Sequence, residues 1–588
     1  MIKDIILISN EKTTYHIVHS KDSSECERFA CKELQKYLYL SLNTLIPVFS
    51  DKCEKRSSEI IIGDARNNNY KTILLNKSKE AYIIKEDNGN IYINGNSPRA
   101  ILYGVYKFLE EFIGFKCFAI DCEKYEKLNE LIIQKDYELI IDFTFEYRET
   151  YWTDSFNGDF AAKNMLNSNL AELSDKHGGK VKWFNFHHSF SDLVNPNEYF
   201  DTHPEYFSLV DGKRQKEHTE LCLSNPDVYE IALKKLKEWI KNNPNCDIFS
   251  VAQDEWMGHF IKMACECENC KKIDLENESQ SGSIITFVNK LAREIKREYP
   301  DKLIHTFAYQ YSRKTPKKVV PENNVIVRLC NIECSWDKSI EEGALLDVES
   351  RSGKFYQDLL DWGKITNRLY IWDYAVNFRN YLLPFPNLRT MEKNIALYRK
   401  CNVKGVLMQG NFSYGGGGYL DELKAYVVAN LLRDDSKDLN YLINDFCKHY
   451  YGSNAYTYIV DYINLWEDSV KGHELWLYDD ADSLMFTDNN INKSFDLLNK
   501  AKDSEKNEIY KNRIDKLLLG IRYLYIVRLE MDYPNRNELI DEFYADLKKH
   551  KITEIFERTS LEFSINTMKK SKYAKDREGW YSLYYIMK

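Results

Sequence analysis

Ser250-Val251-Ala252-Gln253-Asp254-Glu255-Trp256 follows directly on the apolar run Asp247-Ile248-Phe249. The run reads as a short buried strand that ends in an amide, two adjacent carboxylates and an indole. Ionisable groups at a strand end cost desolvation free energy, so they persist where a site uses them. The stretch therefore raises two questions: which sheet the strand belongs to, and which other strand ends face it.

Strand signals recur at 145–152, 181–188, 220–224, 303–309, 325–333, 369–374 and 404–410, which makes 247–254 the fourth of eight. Helical patterns lie between them. Asn225-Pro226 supplies a cap and a first-position proline, and 284–297 is amphipathic. Eight strands with intervening helices predict an α/β fold, a (β/α)₈ barrel over 141–432.

Upstream, 1–140 reads as a small α/β accessory domain. It has helical periodicity from Cys26 to Leu40, a strand at Glu59-Ile60-Ile61-Ile62, a hairpin about Asp87-Asn88-Gly89 and a helix over 100–109. After Leu420 the strand signals vanish. The patterns at 421–432, 439–451, 456–471, 491–502 and 508–533 are helical, so 433–588 is expected to be a C-terminal α-helical domain. Gly415-Gly416-Gly417-Gly418 lacks the Lys-Ser/Thr of a phosphate loop and reads as a lid or linker.

A chain of 588 residues is too long for one core. Its 44% hydrophobic and 29% charged content is that of a soluble globular protein. A formal charge of -9 argues against nucleic acid as a partner, because phosphate binding needs a basic face. No window approaches 18 uncharged apolar residues, so no membrane partner is expected. The N-terminal Met1-Ile2-Lys3-Asp4 is charged too soon for a signal peptide, and the 14 cysteines are scattered. A reduced, cytoplasmic protein is the expectation, or a secreted one if a signal was trimmed.

Barrel enzymes place their sites at the carboxyl ends of the strands. The predicted ends offer Arg148 and Trp152, His187 and His188, Gln253, Asp254 and Glu255, then Tyr309, Asn331 and Glu333, Trp372, Asp373 and Tyr374, and Gln409. Carboxylates, amides and aromatics converging from separate strands suit sugar chemistry. Glycoside cleavage needs a protonated carboxyl at the leaving oxygen and a second group at the anomeric centre. Glu255 is read as the general acid/base, Glu333 as nucleophile or stabiliser, and Asp254 as supporting. The other strand-end residues are read as substrate contacts. Neighbours on a strand point to opposite sides, so Asp254 and Glu255 are expected to diverge.

Cys265-Glu266-Cys267-Glu268-Asn269-Cys270 brings three thiols close, which suits zinc given a fourth ligand such as His259. A structural zinc site usually draws two ligand pairs, and no second pair is evident. Free or locally packed thiols, and no cofactor, are therefore expected.

Across residues 20–460 the chain resembles glycoside hydrolase family 163, the endo-β-N-acetylglucosaminidases, and its uncharacterised relatives. The likeness rests on Ile60-Ile61-Ile62-Gly63 and on Tyr103-Gly104-Val105-Tyr106-Lys107-Phe108-Leu109-Glu110, which look like the domain preceding family 20 and family 67 barrels. His203-Pro204-Glu205-Tyr206-Phe207, Asp211-Gly212-Lys213-Arg214, Leu221-Cys222-Leu223-Ser224-Asn225-Pro226, Asn331-Ile332-Glu333-Cys334 and Pro384-Phe385-Pro386-Asn387-Leu388 extend it. The Gln-Asp-Glu strand end and the cysteine loop complete it. The resemblance implies hydrolysis of a β-linked N-acetylglucosaminide in a glycan, with retention, and Glu255 in the acid position. The stretch from Trp256 to Ala264, longer than the family pattern, puts the substrate at issue rather than the chemistry. Two alternatives are an exo-acting hexosaminidase or uronidase, and a glycan-binding barrel without catalysis.

Overall fold

The computed structural model describes residues 4–255, 263–434 and 436–572. These fall into two compact units interleaved along the chain: residues 1–180, 420–461 and 497–515, and residues 181–419, 462–496 and 516–588. Among the described residues no helix is long and apolar enough to cross a membrane.

The first unit holds a six-stranded mixed sheet. Its strands are β1 (His16–His19), β2 (Val48–Ser50), β3 (Glu59–Ile62), β4 (Tyr82–Asp87), β5 (Asn90–Gly95) and β6 (Glu138–Ile141), in the order β6-β4-β5-β3-β1-β2. Two helices accompany it. In α1 (Glu25–Leu42) the Ser24 hydroxyl accepts from Glu27 N at 3.2 Å while the Glu27 carboxylate accepts from Ser24 N at 2.7 Å. That reciprocal box satisfies two of the orphan amides at the helix start. In α2 (Pro98–Ile113) Ser97 caps and Pro98 fills the first turn.

The predicted first strand is present as Tyr147–Thr150, and it lies in this unit. Arg148, expected to meet substrate, is fully buried here. It donates to Glu80, to Met165 O at 2.9 Å and to Phe145 O at 2.6 Å. Burial alone would raise the Glu80 pKa, but Arg148 and Arg99 hold it down at about 2. Arg148 is thus a structural ion-pair residue, and the fully enclosed Trp152 offers no stacking face.

The second unit carries six parallel strands: β7 (Trp183–Phe184), β8 (Ile248–Ser250), β9 (Leu303–Ala308), β10 (Val325–Cys330), β11 (Leu369–Tyr374) and β12 (Val403–Gln409). They pair in chain order, β7 through β12. Parallel neighbours require crossovers. These include α3 (Pro226–Asn242), α4 (Glu268–Asn277), α5 (Ser281–Glu298), α6 (Arg351–Ile365) and α7 (Leu388–Lys400). Every residue of β10 and β11 is buried, as expected of a sheet covered on both faces. This is a curled, parallel half-barrel sheet in a mixed α/β fold.

The expected third strand, 220–224, does not join it. Trp183 and Phe184 of β7 pair directly with Ile248 and Phe249 of β8. Leu221 makes instead an isolated antiparallel bridge to Phe207, with Cys222 N donating to Tyr206 O at 2.8 Å. A short alternating run specifies extended backbone but not its partner, and here a nearby segment satisfied it first. Downstream of the sheet, α8 (Arg536–Lys549) and α9 (Leu561–Lys570) also belong to this unit. The glycine run is no free lid. A Cβ at Gly415 would lie 2.0 Å from Lys551 O, and one at Gly417 would lie 2.5 Å from Ile552, both at positive φ. The glycines allow the loop after β12 to lie directly on the chain at 551–552.

Candidate active site

β8 ends at Ser250, so Gln253, Asp254 and Glu255 leave the strand and go three separate ways. Gln253 is buried, donating to Tyr309 O at 3.2 Å and accepting from the Ser312 hydroxyl. Asp254 is buried too. Its carboxylate accepts from Ser191 N at 2.8 Å, and its own amide donates to Glu220 at 3.2 Å. Glu255 alone faces outward, with 35% of its side chain exposed. The Tyr309 hydroxyl donates to its Oε1 at 2.6 Å, and His188 Nε2 stands 3.6 Å from its Oε2.

His188 is held from its other side. Its Nδ1 lies 2.5 Å from Gln253 O, and a carbonyl only accepts, so Nδ1 carries a proton. Burial would lower the His188 pKa, but Glu255 outweighs it and raises it. Reciprocally, burial would raise Glu255, yet His188 and the Tyr309 hydroxyl keep it below the ordinary glutamate value. Asp254 is pushed up to about 6, chiefly by burial, against the opposing pull of His188 and Ser191. Burial and the Asp254 charge raise Glu220 well above its usual range. His187 goes the other way, to about 4, by desolvation with His188 and Arg328 adding.

Glu333 follows β10, and its Oε2 accepts from Arg313 Nη1 at 2.7 Å, while Arg313 Nε also binds Asp358 at 2.8 Å. Tyr374 is a buried phenol whose pKa is raised by desolvation and then by charges that include Cys330, Glu255 and Glu333. Trp372 donates to Gln409 Oε1 at 2.8 Å and packs against His187 at 5.6 Å between ring centres.

Asn331 and Asp373, read as substrate contacts, are both enclosed. Asn331 Nδ2 donates to Asp373 Oδ1 at 2.7 Å, and the Tyr398 hydroxyl donates to Asp373 Oδ2 at 2.6 Å. They bind each other rather than facing outward, which corrects that expectation.

The chain between α8 and α9 contributes groups that the sequence reading missed. Ile555 O accepts from Tyr381 N at 3.0 Å and the Thr553 hydroxyl donates to Tyr414 O at 2.5 Å, so this segment is pinned to the loops after β11 and β12. From it, Glu557 comes within reach of the Glu255 charge, and burial with that charge pushes it to about 7 against the pull of Arg558. Arg558 acts on both Glu255 and His187. The motif Glu557-Arg558 has no local strand or helix signal, so only the tertiary fold reveals it.

Residues 118–464, more than half of the chain, match the family model described as "Domain of unknown function (DUF4838)". The chain belongs to this family. Residues 7–108 match the glycosyl hydrolase family 67 N-terminus. No curated protein matches the chain. Among solved structures, the chain is similar to BtGH115A, a family GH115 4-O-methyl-α-glucuronidase with specificity for decorated arabinogalactans. That likeness is at 10% identity, covering 94% of this chain and 78% of that one, with a TM-score of 0.57. A Flavobacterium johnsoniae chitobiase, FjGH20, aligns at 13% identity over 97% of both chains with a TM-score of 0.46. At 10% identity the likeness to BtGH115A is one of fold.

Proposed function

We propose that the chain is a glycoside hydrolase in which Glu255 and Glu557 divide the work. The observation that carries this reading is the outward carboxylate of Glu255, held between Tyr309 at 2.6 Å and His188 at 3.6 Å; Glu557, which burial and the Glu255 charge raise to about 7, supports it as the second carboxyl. Two carboxyl groups whose surroundings push their pKa values apart are the arrangement that acid–base sugar chemistry uses.

The sequence reading gave Glu255 the whole acid/base role. Its partners support the anionic half. As the bond from the anomeric carbon to the leaving oxygen breaks, the Glu255 carboxylate faces the positive charge that develops on that carbon. The Glu557 proton passes to the leaving oxygen, and the water that then adds to the anomeric carbon returns a proton to the Glu557 carboxylate. Asp254 is also protonated at mildly acidic pH, but it is enclosed and tied to Ser191 and Glu220, so it supports the loop. Glu333, expected as nucleophile or stabiliser, is assigned with His187 to substrate contact, because its carboxylate is paired with Arg313 at 2.7 Å.

For the substrate class, the family 163 resemblance favours β-linked N-acetylglucosamine within a glycan. A uronic acid glycoside is the second reading, favoured by Arg558, a cation acting on both His187 and Glu255. A panel of aryl N-acetylglucosaminides, aryl glucuronides and an intact N-glycan separates them. Chromophore release from the first indicates exo action, and cleavage within the N-glycan core indicates endo action. Glu255→Gln should abolish most turnover on whichever substrate reacts; retention within about tenfold of wild type would overturn the assignment, since a group that stabilises transition-state charge is typically worth about 10²–10³-fold.

A further inference from the structure

The three clustered cysteines have a fourth companion. Cys222 lies just before α3, far along the chain from the Cys265-Cys267-Cys270 loop, yet the four sulfurs lie within 4.8 Å of one another. Cys222 Sγ and Cys267 Sγ are 3.6 Å apart. Four thiolates about a zinc ion at ~2.3 Å stand about 3.8 Å from each other in a tetrahedron, so the spacing suits that ion. The expected fourth ligand, His259, lies outside the described residues.

The surroundings are those of a thiolate site. Leu209 N donates to Cys265 Sγ at 3.3 Å, and Cys270 N donates to Cys267 Sγ at 3.5 Å. Cys267 caps α4 and Cys270 sits in its first turn, where the helix end favours negative charge. The Ser224 hydroxyl is 3.5 Å from Cys267 Sγ and 3.1 Å from Cys270 Sγ. Cys222, Cys265 and Cys270 are buried, and Cys267 is half-buried. N–H donors aimed at sulfur orient and stabilise thiolate ligands.

We propose that Cys222, Cys265, Cys267 and Cys270 bind one zinc ion as a closed structural site. Four sulfur ligands leave no open position, so the ion takes no part in hydrolysis. Each thiol loses its proton to solvent on binding, and the metal joins segments that the backbone leaves separate. One is the extended segment ending at Cys222, whose Glu220 braces the Asp254 amide at 3.2 Å. Another is the start of α4. The loop before α4 also meets the Leu209–Arg214 hairpin, through Glu266 N to Leu209 O at 2.7 Å and Asp211 N to Glu266 at 2.9 Å. The ion thus ties the brace behind Asp254 to the start of α4.

The test begins with the full chain purified under reducing conditions and supplied with zinc alone. One zinc per chain by elemental analysis is expected, with the four thiols unreactive until a chelator is added. Cobalt exchanged into the site should give thiolate-to-cobalt charge-transfer bands and the strong visible bands of tetrahedral coordination. Cys222→Ser should weaken zinc binding at least about tenfold, since each ligand contributes to the closed site. Full-affinity binding by Cys222→Ser would overturn the fourth-ligand assignment. If that variant does not fold, the cobalt spectrum of the unaltered chain decides, and an octahedral or thiolate-free spectrum refutes the site. Failure to take up metal, or two disulfides among these cysteines in peptides mapped without reduction, would overturn the proposal.

Discussion

Two polar clusters stand at the carboxyl ends of strands in one sheet, and they are built on opposite principles. In the cluster of Asn331, Asp373 and Tyr398, every Asp373 oxygen is occupied, by Asn331, by Tyr398 and by the Tyr374 amide at 2.7 Å. In the cluster of Glu255, His188 and Tyr309, the donors hold a carboxylate in place while leaving 35% of its side chain exposed. Both clusters bear the desolvation cost of buried polar groups. Only the second leaves an acceptor for a ligand, which is why buried polar residues at a strand end do not by themselves mark a site.

The sharpest way to break the comparison is to neutralise the open carboxylate. Glu255→Gln keeps the shape and removes the charge, and turnover should fall by about 10²–10³-fold while the melting temperature changes little. Kinetics and thermal denaturation of the same preparation check it. A large loss of stability with turnover intact would mean that Glu255 belongs to the structural class after all.

A second experiment asks which carboxyl holds the proton. With Glu255 ionised below the usual range and Glu557 pushed to about 7, the pH–rate profile should be a bell that falls on the alkaline side near pH 7. Glu557→Gln should lower kcat and remove that alkaline limb. An unchanged limb would show that Glu557 does not hold the catalytic proton, and a limb moved down toward about 6 would point to Asp254. Stability follows the same signs. Glu557 and Asp254 titrate above their unfolded values, so the native state binds more protons there, and stability declines as pH rises from about 4 toward these values.

How far the chain could be read depended on the range of the determining contacts. The Gln253-Asp254-Glu255 strand end stood out because its signal is local: an apolar run, then carboxylates. Five of the six strands of the second unit, from β8 to β12, fall within segments whose apolar runs are continuous or alternate clearly. The 220–224 segment was misread because alternation does not name a partner. Arg148 and Trp152 were misplaced for a related reason: a strand end has two sides, and Glu80, far away in sequence, decides that Arg148 turns inward. Glu557 and Cys222 were invisible for the same physical cause, since each reaches its cluster only through tertiary packing.

The smallest expected effect tests the closed cluster. Tyr398→Phe removes the hydroxyl 2.6 Å from Asp373 and leaves a buried carboxylate with one donor fewer, at a cost of about 1–3 kcal/mol. Turnover per folded molecule should be unchanged, because Tyr398 sits on α7 beneath the strand ends and bonds only to this cluster in the contacts described. The loss should also depend on pH with a definite sign. Burial already raises the Asp373 pKa above its unfolded value of about 3.9, and Tyr398 and Asn331 pull against it. Removing the hydroxyl raises it further, so the variant loses more stability than the parent as pH rises above about 4 and least below it. Urea denaturation at several pH values measures the difference. A deficit that shrinks as the pH rises would show that Asp373 is not the group the hydroxyl stabilises.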